Sequence, residues 1–151
     1  MASLEAICVA PAAGAPMQAL SEVEAVPGAG LSGDRYLLGI GFYSPQPGFR
    51  EVTLFEAEVL DWLASQHGLS FSPTEHRRNL TTRGVRLMDL LGQRFRIGQV
   101  VLEGMKDCPP CEHLVSLVHK PVLHPLVGRG GLRARILEGG TLRVGDPVVA
   151  E

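Results

Sequence analysis

Two hydrophobic periods run along this chain. In "LRARI" (132–136) and "TLRV" (141–144) apolar and polar residues alternate, setting arginines opposite the aliphatic positions. That period of two belongs to a half-buried strand. Short apolar runs bounded by glycine or proline read the same way: "LEAICVA" (4–10), "VEAVP" (23–27), "EVTLF" (51–55), "NLTTRGV" (79–85), "QRFRIG" (93–98), "VVLEGM" (100–105), "LRARILEGG" (132–140) and "TLRVGDPVVA" (141–150). The second period is helical. "EAEVLDWLASQHG" (56–68) places Val59, Leu60, Leu63 and Ala64 on one stripe, with Gly68 as a stop. "CEHLVSLVHK" (111–120) reads as a second short helix, and "GAGLSGDRYLLGIGFYSPQPG" (28–48) as a long loop without clear period. Many short strands, few helices and no regular βαβ alternation predict a mainly β fold, a small mixed barrel.

Composition narrows the partners. The 151 residues form one expected domain, residues 1–151, long enough to bury a substantial core. A formal net charge of -2 gives no reason to expect nucleic acid or an anionic membrane as a partner. The cations are twelve arginines against only Lys106 and Lys120, and arginine's planar fork suits a local carboxylate or phosphate site. No apolar run approaches the roughly 18 to 20 residues needed to span a membrane. The N-terminus, with Glu5 and no basic start, does not read as a signal peptide. Three cysteines do not make a disulfide framework, so a reducing cytoplasm is the expected location.

Two motifs raise chemical questions. "GAGLSG" (28–33) matches G-x-G-x-x-G, but the glycines and prolines after it preclude the long helix a dinucleotide site requires. Gly33-Asp34 reads instead as a tight turn that places Arg35 and Tyr36. Cys108-Pro-Pro-Cys111 admits four readings: half a zinc site, a dithiol redox pair, a rigid turn with idle thiols, and a single functional thiol. Zinc lacks a second close ligand pair. A helix starting near Cys111 would set that sulfur beside unpaired N–H groups, which stabilise a thiolate. Glu112 opposes this, and Cys108 lies before the helix.

"HRRNLTTRGVRLMDLLGQRFRIGQVVLEGMKDCPPCEHL" (76–114), "GLRARILEGGTLRVGDPV" (131–148) and "GLSGDRY" (30–36) together resemble the MOSC domain, the molybdenum-cofactor sulfurase C-terminal domain family. The resemblance implies a closed β-barrel rich in strands. It implies that Cys111, the cysteine of the Pro-Cys element, is the sulfur carrier or molybdenum ligand. Arg77, Arg78 and Asn79 would bind the phosphate or pterin of a molybdenum cofactor (molybdopterin); Asp34 and Arg35 either line the pocket or simply pair with each other at a turn. A solvated strand entrance is the competing reading of the arginine pair. The partners so implied are a molybdopterin-type ligand or a sulfur-donor protein such as a cysteine desulfurase. No pyridoxal phosphate is expected in this chain, because neither Lys106 nor Lys120 sits in a recognisable Schiff-base site. Enzyme status stays open between a sulfur transferase and a component of a molybdenum-dependent reductase. The alternatives are a thiol-disulfide protein using Cys108 and Cys111, and a non-catalytic adaptor delivering sulfur or cofactor.

Overall fold

A computed structural model describes residues 2–39, 51–109, 126 and 128–151. Eleven strands and one α-helix run in the order β1 (Ser3–Val9), β2 (Gln18–Leu20), β3 (Glu22–Val26), β4 (Gly30–Leu31), β5 (Val52–Glu56), α1 (Ala57–His67), β6 (Leu80–Arg83), β7 (Arg94–Ile97), β8 (Val100–Asp107), β9 (Leu132–Glu138), β10 (Gly140–Arg143) and β11 (Val148–Ala150) among the described residues. A 3-10 turn, Leu87–Leu90, precedes β7.

The strands form two sheets, one ordered β11-β7-β8-β9-β5-β6-β1-β2 and the other β10-β3-β4. Among the described residues every strand ladder is antiparallel except β5 with β6, where Leu54 faces Leu80 in a parallel ladder. That parallel pair exists because α1 supplies the crossover connection that two parallel neighbours need.

The expected closed barrel is not what forms. The large sheet is open, ending at β11 and β2, and no ladder joins its ends among the described residues. One isolated bridge, Ser3 to Pro147, flanked by Leu4 N–H on Asp146 O at 2.9 Å and Val148 N–H on Ala2 O at 3.0 Å, brings β1 against the start of β11 without extending into a ladder. Beyond it the chain turns: Gly145 N–H donates to Leu4 O at 2.7 Å, and Val148 enters its ladder with Ile97 of β7. On the other side, the break at Ser21 carries the chain from β2 into the separate three-stranded sheet.

Alternation decides which faces meet. In β9, Leu132, Ala134 and Ile136 are buried, while Arg133 and Arg135 are half-buried on the opposite face. Arg135 pairs there with Glu103 of β8 at 2.6 Å. The inward residues of both sheets share one core, including Val23, Leu31, Leu54, Leu80, Phe95, Ile97, Leu102 and Leu142. Burying each such aliphatic or aromatic side chain contributes about 1.5–3 kcal/mol before chain entropy is subtracted.

A second, smaller core lies under α1, where Val59 and Leu63 meet Phe55, Phe71 and Leu126. The helix stops at Gly68, whose φ of 62° is left-handed and whose N–H donates to Leu63 O. The expected stripe is shifted, however. Ala57, Val59 and Leu63 are the buried positions, and Ala64 faces solvent.

Candidate functional site

The short link between α1 and β6 carries His76, Arg77, Arg78 and Asn79, and all four are buried. Two adjacent arginines at 9% and 8% exposure exclude the solvated strand entrance. Buried guanidiniums need acceptors. Arg78 finds three: Nε donates to Gly130 O at 2.8 Å, and Nη2 to Cys108 O at 3.2 Å and Pro109 O at 3.1 Å. It thereby ties the end of β8 to the loop entering β9. Gly131 permits this approach, because a Cβ at that position would overlap Leu54 O. Its own carbonyl accepts the Cys108 N–H at 2.8 Å.

Arg77 turns the other way. Its φ of 65° makes it the single non-glycine residue with positive φ among those described. Its Nη1 donates to Ala15 O in the link between β1 and β2, and its carbonyl accepts Arg35 Nη2 at 3.2 Å. Burial, then the nearby charge of Arg35, pulls the Arg77 pKa down to about 10.

Arg35 itself enters through the turn closed by Asp34 N–H on Leu31 O at 3.0 Å. No helix opens on "GAGLSG" among the described residues, since Gly30–Leu31 is strand β4 and the chain then turns up to residue 39. Asp34 is fully buried. Its Oδ1 accepts Arg35 Nη1 at 3.0 Å and Ala10 N–H at 3.2 Å, and its Oδ2 accepts Tyr36 N–H at 3.2 Å. Arg35 also reaches Met17 Sδ at 3.6 Å and lies 4.7 Å from the centre of the Tyr36 ring.

Asn79 faces the framework. Its Oδ1 accepts from Thr53 N–H and Thr53 Oγ1, and its Nδ2 donates to Cys8 O at 3.1 Å. Cys8 is buried beside Ala10 and Met17, and burial pushes its thiol pKa from 9.0 up to about 11. Cys108 is a second buried free thiol. Cys111 lies outside the described residues, as do Glu112, His113 and the expected helix 111–120.

The structure buries Asp34, Arg35, Arg77, Arg78 and Asn79 in one linked series: Arg35 bonds Asp34 and the Arg77 carbonyl, Asn79 ties in Cys8, and Arg78 alone reaches the start of the Cys108-Pro-Pro-Cys111 segment. Among these buried residues are three guanidiniums and one carboxylate, Asp34, which pairs with Arg35. The cationic excess is of the kind that accepts an anionic group. No group of three or more His, Cys, Asp or Glu side chains able to hold a metal occurs among the described residues.

His76 escaped the sequence reading. Nothing in its spacing marks it, yet its ring stacks on Phe55 with centroids 4.3 Å apart. Nδ1 accepts Arg78 N–H at 2.9 Å, and Nε2 lies 2.8 Å from Thr81 Oγ1. Burial, reinforced by the charge of Arg78, holds its pKa well below 6.5.

Known proteins bear on this arrangement. The fold is similar to the YuaD protein from Bacillus subtilis, with a TM-score of 0.80 at 17% identity, over 98% of this chain and 94% of that one. It is also similar to YiiM from Geobacillus stearothermophilus, with a TM-score of 0.75 at 17% identity, over 100% of this chain and 75% of that one. YiiM from Escherichia coli gives a TM-score of 0.69 at 18% identity, over 99% and 69% of the two chains. No curated protein matches in sequence. The model of the MOSC domain matches residues 46–149, a span that holds the arginine pair, Asn79 and both cysteines of the CPPC segment. The chain belongs to the MOSC domain family, which is linked to molybdenum-cofactor-related function.

Proposed function

We propose that this chain binds an anionic, molybdopterin-type ligand at the Arg35–Arg77–Arg78 cluster, with Cys111 as the thiolate that carries activated sulfur or ligates molybdenum. The observation that carries this reading is the grip of Arg78 on Cys108 O and Pro109 O. One side chain belongs both to the cationic cluster and to the backbone that leads, two residues on, to Cys111.

The residues fit such a ligand chemically. The excess of buried guanidinium over carboxylate favours a phosphate or an anionic metal–sulfur group, and burial, then the charge of Arg35, lowers the Arg77 pKa. When bound, the cofactor would supply the molybdenum centre. The chain's own part is to neutralise charge with the arginines and to present a soft thiolate.

As a sulfur carrier, the Cys111 thiolate attacks the outer sulfur of a donor persulfide. An S–S bond forms at Cys111, the donor's S–S bond breaks, and the donor thiol leaves as thiolate. A cysteine desulfurase is the class of partner that offers such a persulfide.

The test compares wild type and Cys111→Ser, both purified from the native host, for molybdenum, pterin and cyanolysable sulfur. Wild type should carry at least one of the three and the variant should lose it. Equal content in the two proteins would refute the assignment.

A further inference from the structure

We propose that His76 is the positioning residue of the arginine cluster. Its Nδ1, as acceptor for the Arg78 N–H, holds Arg77 in the left-handed region and so sends the two guanidiniums to different loops.

The ring is fixed on three sides by Phe55, Thr81 and the Arg78 N–H. An N–H only donates, so Nδ1 bears no proton. The neutral ring then carries its proton on Nε2, which donates to Thr81 Oγ1. A side-chain acceptor bonded to the N–H two residues on closes a local turn, as aspartate and asparagine do in Asx turns. The residue enclosed by this one is Arg77, at φ 65°.

An L-residue in that region costs about 1–2 kcal/mol, and nothing in arginine itself offsets it. The bond to His76 does. Released from it, Arg77 would relax towards φ below zero, rotating the peptide whose carbonyl receives Arg35 Nη2. The same rotation would move the Arg77 reach to Ala15 O and the Arg78 reach to Gly130, Cys108 and Pro109. One imidazole thus sets the geometry of three guanidiniums without touching any ligand.

Only the binding arm of the test rests on the proposed function. Nitrogen-15 NMR of histidine-labelled wild type should show His76 protonated on Nε2 and bare on Nδ1; a proton on Nδ1 overturns the inference with no variant needed. His76→Asn keeps an acceptor where Nδ1 stands, whereas His76→Gln sets its amide near Nε2 and leaves the Nδ1 position empty. Arg78 amide exchange should accelerate about ten-fold or more in His76→Gln and stay near wild type in His76→Asn. Affinity for inorganic phosphate should fall about ten-fold in His76→Gln alone. Unchanged Arg78 exchange in a folded His76→Gln, or His76→Asn failing as His76→Gln does, defeats the proposal. If wild type does not bind phosphate while Arg78 exchange separates the variants as expected, the positioning role stands and the anion reading falls.

Discussion

Asn79 and Thr53 are interlocked through main chain and side chain together. Thr53 N–H and Oγ1 both donate to Asn79 Oδ1, at 3.1 and 3.2 Å, and Asn79 N–H returns to Thr53 O at 3.0 Å. Through Nδ2 on Cys8 O the same amide reaches β1, so it staples β5, β6 and β1 at the base of the arginine cluster. Asn79→Ala would strand a buried N–H and a buried carbonyl. The expected loss is about 2–4 kcal/mol in urea denaturation, from the desolvation cost of the orphaned groups. A loss within about 0.5 kcal/mol would mean that these bonds are not made. Asn79→Asp should be destabilising as well, because a carboxylate oxygen would replace Nδ2 against Cys8 O.

Stability should depend on pH through His76. Its folded pKa is held well below 6.5 by burial and then by Arg78, so the unfolded chain takes up a proton first as pH falls. The contribution is fully present above the unfolded value near 6.5 and is lost as pH falls towards the folded value. The limiting slope is about 1.4 kcal/mol per pH unit for one proton. Glu56 also titrates, its pKa raised from 4.5 chiefly by burial, but it is common to wild type and His76→Asn and cancels in their difference. Urea midpoints at pH 7, 6 and 5 should therefore show wild type losing ground against His76→Asn. A constant difference across that range would contradict the buried, neutral ring.

Much of this fold is written locally, and much of the site is not. β9 is legible because one face of it meets the core, which forces Leu132, Ala134 and Ile136 to alternate with Arg133 and Arg135. β2 and β4 are not, since three and two residues carry no period and Gln18 and Ala19 are exposed. "TLRVGDPVVA" reads as one strand, yet the turn after Arg143 splits it between two different sheets. The arginine pair is visible only as part of a resemblance. What makes it a site is its depth, and that comes from partners distant in sequence: Gly130 and Cys108 for Arg78, Ala15 for Arg77. His76 had no sequence signal at all, because its role is set by Phe55 on β5 and Thr81 on β6. Barrel closure failed as an expectation for a related reason: strand count says nothing of whether the end strands pair.

Cys8 should behave as an inert thiol. With its pKa pushed up to about 11, it is about 0.1% thiolate at pH 8, against about a quarter for an ordinary cysteine near 8.5. Burial adds a steric barrier to this. Iodoacetamide at pH 8 should leave Cys8 unmodified in the folded protein and alkylate it fully in denaturant, as read by peptide mass mapping. Labelling of Cys8 in the native state at the rate of a free thiol would contradict its place beside Ala10 and Met17.

Arg78→Lys separates charge from geometry. Lysine keeps the positive charge but offers one compact ammonium, which cannot span Gly130 O on one side and the Cys108 and Pro109 carbonyls on the other. If Arg78 acts mainly as a local positive charge, Arg78→Lys should be nearly silent. If it acts as a brace between the end of β8 and the entry to β9, at least one buried carbonyl is orphaned and the cost is about 1–3 kcal/mol. The brace is the expected result. It should be accompanied by faster exchange of the Cys108 amide, which donates to Gly131 O across the same gap. The paired observations matter: a loss of stability with Cys108 exchange unchanged would place the damage elsewhere, and would remove the physical link between the arginine cluster and the segment that bears Cys111.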